Sequence, residues 1–307
     1  MHPFRLPPAR RAWWLAFVLL LAAAPGPAAA AEPDPQRGAY IFRASGGCTC
    51  HTDLKNGGPT LAGGRAMPTP FGVLYATNIT PHRQTGLGAW SEADFIRAMR
   101  RGIGAGGEHL FPAFPYTAFA GMTERDLRDL WAYLRTVPPV ERANRPDELW
   151  PPFGWRFLLG FWKWLNFAPR PFEPDPARSA EWNRGAYLSR HVAHCAECHT
   201  PRDLSGALRP ELRNAGTPSG PEGALAPNIT PDPETGVGNW SLTDMTWFLE
   251  TALKPNGDDA QSLMGEVIEH GYRHMTPADR KAIAVYYRSL PPIRNKVQAP
   301  PRSEGAP

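Results

Sequence analysis

Cysteine is scarce in this chain of 307 residues. Only four occur, and all fall in two short clusters, Cys48/Cys50 and Cys195/Cys198. None is left over for a structural disulfide, so bridges do not hold the fold together. There is no Gly-rich phosphate-binding fingerprint, no serine–histidine–aspartate grouping with supporting context and no second metal motif. Nucleotide-dependent and hydrolytic chemistry therefore find no residues to carry them. Alternating apolar–polar runs of strand length are also missing, and the fold class expected is all-α. Excess charge is small: 33 basic residues stand against 29 acidic ones, a formal net charge of +4. Three of the basic residues, Arg5, Arg10 and Arg11, lie in the first 31 residues, and without them the balance is 30 to 29, or +1. Nothing in that balance argues for nucleic acid.

Proline and glycine are plentiful instead, at 36 and 29 residues. A chain so rich in loops and turns needs something large and apolar to pack against. The pentapeptide Cys195-Ala196-Glu197-Cys198-His199 supplies it. Two cysteines two residues apart, closed by a histidine, read as a c-type haem attachment site. Thiols one helical turn apart can add to both vinyl groups of a haem, and the adjacent histidine is held beneath the iron as proximal ligand. A redox or disulfide pair would give that histidine no task. A zinc site built on Cys48, Cys50, Cys195 and Cys198 would ignore both histidines and the repeat described next.

Cys48-Thr49-Cys50-His51 is an imperfect echo of the same motif, one residue short. It belongs to a duplication that runs through the chain. Arg37-Gly-Ala-Tyr40 recurs as Arg184-Gly-Ala-Tyr187, Asn78-Ile-Thr-Pro81 as Asn228-Ile-Thr-Pro231, and Trp90-Ser91 as Trp240-Ser241. Met122-Thr123 recurs as Met275-Thr276, and Val137-Pro-Pro139 as Leu290-Pro-Pro292, in the same order throughout. Two homologous modules account for this. By that register Cys50 and His51 stand in the right places, and Gly47 stands where the first cysteine should be. Either Cys48 reaches a vinyl group with strain, or the haem hangs from Cys50 alone; a first module without haem is the remaining alternative.

Each module is expected to open with a short helix, entered through Asp34-Pro35 or Ser179, that leads into the attachment motif. A Gly/Pro-rich loop follows. Ser91 and Ser241 then cap a helix, with Asp94 and Asp244 three residues on. A last helix starts at Thr123 or Thr276 and ends at Pro-Pro. Leu127, Leu130, Trp131 and Leu134 fall on one face of it, as do Ile283, Tyr286, Tyr287 and Leu290 less neatly. The expected layout is residues 1–31 as a secretory signal peptide, 32–140 as the first module, 141–176 as a Pro/aromatic linker, 177–293 as the second module and 294–307 as a disordered tail. The leader combines Arg10 and Arg11, an apolar run from Ala12 to Ala24 and an Ala-rich stretch ending at Ala31; an uncleaved membrane anchor is the alternative, though its apolar core is short for a span. Within the linker, the aromatic stretch Phe153 to Phe167 reads either as a docking surface for a membrane or partner subunit, or as a helix burying its aromatics across both modules.

A haem iron held by histidine takes a sixth ligand, a water or an open position. In the second module Met264 and Met275 are the candidates. Met264 precedes the last helix, as a loop over the distal haem face would, whereas Met275 adjoins that helix's N-cap, where a thioether more often staples the helix entry. Met264 is favoured. At the matching place the first module has Phe114, which cannot bind iron, leaving His109 and then Met122 as candidates in the same loop region.

Taken together, the attachment motif, Asn-Ile-Thr-Pro, Gly-x-Trp-Ser, Phe111-Pro-Ala-Phe-Pro-Tyr116 and Ser262-Leu-Met-Gly-Glu-Val267 resemble the bacterial diheme cytochromes c. More broadly they are similar to the cytochrome c subunits of periplasmic alcohol, gluconate and nicotinate dehydrogenases. The resemblance covers nearly all of residues 34–293. It implies two tandem class I-like cytochrome c domains, two covalently attached haem c groups and Met264 as an axial ligand of the second haem. In the alcohol dehydrogenase subunits the loop matching Phe111–Tyr116 carries a ligand methionine, and Phe114 departs from that. Those subunits carry three haem modules, and this chain has two. The function expected is a periplasmic electron carrier, taking electrons from a dehydrogenase or other redox protein toward a terminal acceptor, rather than an enzyme. A diheme redox enzyme of peroxidase or thiosulfate dehydrogenase type, with an open or labile first haem, is the alternative that Phe114 favours. The location expected is the periplasm, in solution or at the membrane surface.

Overall fold

The computed structural model describes residues 32–298; the expected signal peptide and residues 299–307 of the expected tail lie outside the described residues. Helix α1 (Pro35–Ala44) begins where anticipated: the Asp34 carboxylate accepts from the Gln36 and Arg37 amides, and Pro35, which has no amide hydrogen to satisfy, takes the first turn. Beyond Ser45 the chain turns through the first attachment motif. It then forms a small antiparallel hairpin, β1 (Ala66–Thr69) with β2 (Gly72–Tyr75), and β3 (Glu148–Leu149) pairs with the free edge of β2. The all-α expectation is corrected to that extent. Strands of four, four and two residues are too short to write an alternating pattern into the sequence.

Helix α2 (Glu92–Arg101) carries the expected capping box, with the Ser91 hydroxyl and the Asp94 carboxylate each satisfying the other's backbone amide, and closes on left-handed Gly102. The short α3 (Tyr116–Phe119) precedes α4 (Glu124–Leu134), capped by Thr123. After α5 (Leu158–Asn166) the plan repeats. Helix α6 (Ala180–Tyr187) is capped by Ser179, and α7 (Ala196–His199) holds the second attachment motif. Helix α8 (Leu242–Thr251) has the Ser241/Asp244 capping box, α9 (Ser262–His270) stands where a loop was expected, and α10 (Pro277–Arg288) starts from Thr276.

The first helix of each repeat packs on the last at a glycine. A Cβ on Gly38 would overlap the Asp129 carbonyl of α4, and one on Gly185 would overlap the Ala282 carbonyl of α10. Close approach of the helix backbones requires glycine there. Leu127, Leu130, Trp131 and Leu134 are all buried, as are Ile283, Tyr286 and Tyr287, while Leu290 is half-buried. Burying each such side chain contributes about 1.5–3 kcal/mol. The core is continuous, joining Ile41 and Leu130 of the first repeat to Leu188 and Ile268 of the second.

Matched polar contacts cross between the repeats. The Tyr187 hydroxyl donates to Asp126 and accepts from the Thr123 amide, at the N-terminus of α4. Reciprocally, the Tyr40 hydroxyl donates to Asp279 and accepts from the Thr276 amide, at the N-terminus of α10. The same two carboxylates pair with Arg37 and Arg184 within their own repeats.

The Asn-Ile-Thr-Pro elements fasten loops to the segment following each last helix. Asn78 Nδ2 donates to Val140 O at 2.8 Å, and Asn228 Nδ2 to Ile293 O at 2.7 Å. Order continues past the expected boundary at 293: Asn295 donates to Ala215 O and Thr235 Oγ1, and Arg294 pairs with Glu234. The expectation of a disordered tail from 294 is therefore corrected at its start, where Asn295 is held through both its amide and its side chain.

The alternative in which the Phe153–Phe167 stretch buries its aromatics is not what the chain does. Only Leu159 and Lys163 of α5 are buried, whereas Phe157, Phe161 and Trp164 are exposed, Trp164 at 76%. Lys163 holds the helix down by donating to Arg101 O and Gly102 O, the open carbonyl end of α2. Among the described residues no helix is long and apolar enough to cross a membrane.

Candidate haem-attachment sites

Both motif histidines are fixed in the same way. His51 Nδ1 lies 2.7 Å from Thr77 O, and His199 Nδ1 lies 2.7 Å from Pro227 O. A carbonyl can only accept, so each Nδ1 carries the proton and each Nε2 keeps its lone pair. Burial lowers the pKa of both imidazoles, outweighing the carbonyl bond that works to raise it. They are thus held neutral, with a basic nitrogen turned away from the backbone, as a metal ligand must be. The surroundings match as well. Gly63 N donates to His51 O and Gly216 N to His199 O, while Leu61 N and Asn214 N donate to the hydroxyls of Thr52 and Thr200.

All four cysteines are unpaired. Cys48, Cys195 and Cys198 are half-buried and Cys50 is exposed. Burial pushes the thiols of Cys48 and Cys198 up to about 12, which keeps them protonated at neutral pH. Among the described residues no three or more His, Cys, Asp and Glu side chains gather where they could hold a metal ion.

The sixth-ligand candidates fall in different settings. Met264 lies on the first turn of α9, half-buried against the core. Phe114 occupies the corresponding place in the first repeat, its ring 5.7 Å from that of Phe119. Pro112 and Pro115 cut the helix there to four residues, against nine in α9. His109 points at α5, with Nδ1 3.1 Å from Lys163 Nζ and its Nε2 edge over Gly160. Met122 is fully buried at 0% exposure and Met275 at 3%, each just before the N-cap of its last helix.

Each motif is also touched by the opposite repeat. Thr117 Oγ1 of α3 donates to Glu197 within the second motif at 2.7 Å, and Val267 and His270 of α9 pack on Gly46 and Gly47 beside the first. Arg65, beside Cys50, pairs with Glu222 and Glu266 of the second repeat. Thr77, Pro227, Thr117, Glu197 and Arg65 escaped the reading of the sequence. For the first two a signal existed, since each immediately precedes Asn-Ile-Thr-Pro in its repeat.

No protein-family model matches the chain. It is 39% identical over 269 residues to the fructose dehydrogenase cytochrome subunit of Gluconobacter japonicus, an alignment covering 87% of this chain and 54% of that one. With a nicotinate dehydrogenase subunit of Pseudomonas putida it shares 40% identity over 261 residues, 83% of this chain but 21% of that one. A diheme cytochrome c-type protein of Cereibacter sphaeroides is 37% identical over 265 residues, 85% of this chain and 87% of that one. The chain belongs to the diheme cytochrome c family. It spans about half the length of the fructose dehydrogenase subunit and about a fifth of the nicotinate dehydrogenase subunit.

The residues of this cytochrome fit haem c. The donor set is a neutral imidazole with a free Nε2 next to a cysteine pair, twice over, and Met264 offers a thioether in the second repeat. A haem iron so held supplies a one-electron couple whose potential its ligands and surroundings set. The protein's part would be to fix the ring orientation of His51 and His199 through the Thr77 and Pro227 carbonyls.

Proposed function

We propose that the chain is an exported two-haem electron carrier, built as two tandem cytochrome c domains joined through residues 141–176 and working in the periplasm. The matched tautomer lock on His51 and His199 carries this reading, because it prepares both repeats, the short-motif one included, to ligate iron. The second haem is held by Cys195 and Cys198, with His199 and Met264 as axial ligands. The first is held through Cys50 and Cys48, with His51 below the iron. His109 is committed to Lys163 and Met122 to the core, so neither is assigned to the first haem's distal side.

Electrons enter from a dehydrogenase and leave toward a terminal acceptor, by analogy with the relatives named as dehydrogenase cytochrome subunits. A docking platform is in place for such a partner or for the membrane surface. The exposed aromatics of α5 adjoin Leu204, which is 98% exposed, through the bond from Trp162 Nε1 to Ser205 O, and the Phe153 ring lies tilted against that of Phe71 at 4.6 Å. No acidic residue occurs between Leu149 and Phe172. Redox titration of the holoprotein tests the carrier reading: two one-electron transitions are expected, and a single transition contradicts it. Phe114 favours one second reading, a redox enzyme with a labile first haem. Rapid carbon monoxide binding at one haem together with turnover of peroxide or thiosulfate would establish that reading instead.

A further inference from the structure

We infer that Cys48 does in the first repeat what Cys195 does in the second, so that the first haem is held by two thioether bonds despite the shortened motif. This rests on the proposal that the first repeat carries a haem. Counting back five residues from each motif histidine reaches a left-handed residue in both repeats, Gly46 at φ 81° and His194 at φ 44°. By that register Gly47 stands opposite Cys195 and Cys48 opposite Ala196. Position 47 cannot bear a thiol. Gly47 is itself left-handed, at φ 67°, and a Cβ there would sit 2.6 Å from the His270 carbonyl at the end of α9.

In the second repeat the chain goes right-handed at Cys195, φ −52°, which sets Cys198 one turn on. A right-handed helix through Cys48–Cys50 would instead aim those two side chains about 200° apart, too far round for one porphyrin edge. The first repeat does not do this. Gly46, Gly47 and Cys48, with φ of 81°, 67° and 49°, form a continuous left-handed run before the hand reverses. Two glycines adopt this freely, while Cys48 is strained by its Cβ. Val267, packed on Gly46, and His270, on Gly47, hold the run in place from the opposite repeat. Cys48 thereby shares one feature of Cys195's setting: both are half-buried and packed against the continuous core, although Cys48 lies beside Ser45 Oγ, at 3.8 Å, and Cys195 beside Tyr272 and Tyr287. Cys50, like Cys198, lies off that core cluster. The shortened spacing and the left-handed run compensate each other.

The bond-forming step is an addition. The Cys48 sulfur bonds to the inner carbon of a vinyl group, the thiol hydrogen goes to the terminal carbon, and no electrons are gained or lost. Protein mass is therefore blind to the second bond, whereas free thiols report it. The test is to express the full chain with its leader in a host that attaches haem c, denature the purified holoprotein, alkylate with iodoacetamide and map modified cysteines by mass spectrometry. Two haems with no alkylated cysteine is the expected result. Two haems with Cys48 or Cys50 alkylated overturns the inference while leaving the two-haem proposal standing. One haem with both Cys48 and Cys50 alkylated overturns both. A Cys48→Ala variant adds a spectroscopic readout. Its free vinyl extends the conjugation of one haem in two, so the pyridine haemochrome band should broaden to longer wavelength; a band identical to that of the parent contradicts the inference.

Discussion

Removing the Tyr187 hydroxyl should loosen the seam between the repeats more than removing that of Tyr40, and the structure says by how much. Tyr187 is 5% exposed, and its partner Asp126 is buried among Arg37 and the start of α4. In Tyr187→Phe, Asp126 loses a donated bond of the charged kind, worth about 1.5–3 kcal/mol. The Thr123 amide also loses its acceptor, but Thr123 is exposed and water replaces much of that bond. The net loss is about 2–3 kcal/mol. Tyr40 makes the corresponding bonds to Asp279 and the Thr276 amide from a half-exposed position, the latter at 3.3 Å. There the loss is about 1 kcal/mol. For a chain of this size each kcal/mol moves Tm by about 2–4 °C, so Tyr187→Phe should lower it by about 4–12 °C and Tyr40→Phe by about 2–4 °C. Thermal unfolding of the holoproteins, followed by circular dichroism at equal haem content, measures both. A Tyr187→Phe Tm within about 1 °C of the parent, or a larger drop for Tyr40→Phe, would refute the reasoning.

Three more perturbations have definite expected outcomes. Met264→Ala should open the second haem to rapid carbon monoxide binding, adding one site per chain over the parent, and lower the potential of that haem, readable by flash photolysis and redox titration; no added site and an unchanged spectrum would remove Met264 from the iron. Gly185→Ala should destabilise by about 1–3 kcal/mol or more, because its Cβ meets the α10 backbone rather than a side chain that could swing aside; urea unfolding checks this, and a neutral result would mean that α6 and α10 do not approach as described. For Asp279, burial works to raise the pKa but the bonds from Arg184 and Tyr40 outweigh it, leaving the pKa below 3.8. A depressed carboxylate stabilises the fold above its unfolded pKa and ceases to as pH falls through the folded value. The stability gap between the parent and Asp279→Asn should accordingly be full well above the unfolded carboxylate pKa of about 3.9 and shrink as pH falls below it; a gap that does not change as pH falls contradicts the pairing.

Local signals in the sequence carried through to the structure wherever one residue type does one job. Asp34, Ser91, Thr123, Ser179, Ser241 and Thr276 all cap the helices they precede. The repeat register found the second motif's counterpart and the Phe114/Met264 exchange. Illegible features were those written in space rather than along the chain. The Thr77 and Pro227 carbonyls act through backbone atoms, which no side-chain pattern records. The Tyr40–Asp279 and Tyr187–Asp126 bonds join residues 239 and 61 positions apart. The exposure of α5 was ambiguous because Trp and Phe read alike whether they face a core, a partner or lipid. The left-handed run at Gly46–Cys48 shows in sequence only as a missing residue.

One measurement bears most directly on the central claim that each repeat holds its own covalently bound haem: the haem content of the exported, purified protein by pyridine haemochrome against chain concentration. Two haems per chain, resistant to extraction by acidified acetone, is the result expected from His51 and His199 in their matched settings. One haem per chain would make the first repeat's motif a relic, and none would contradict the account entirely.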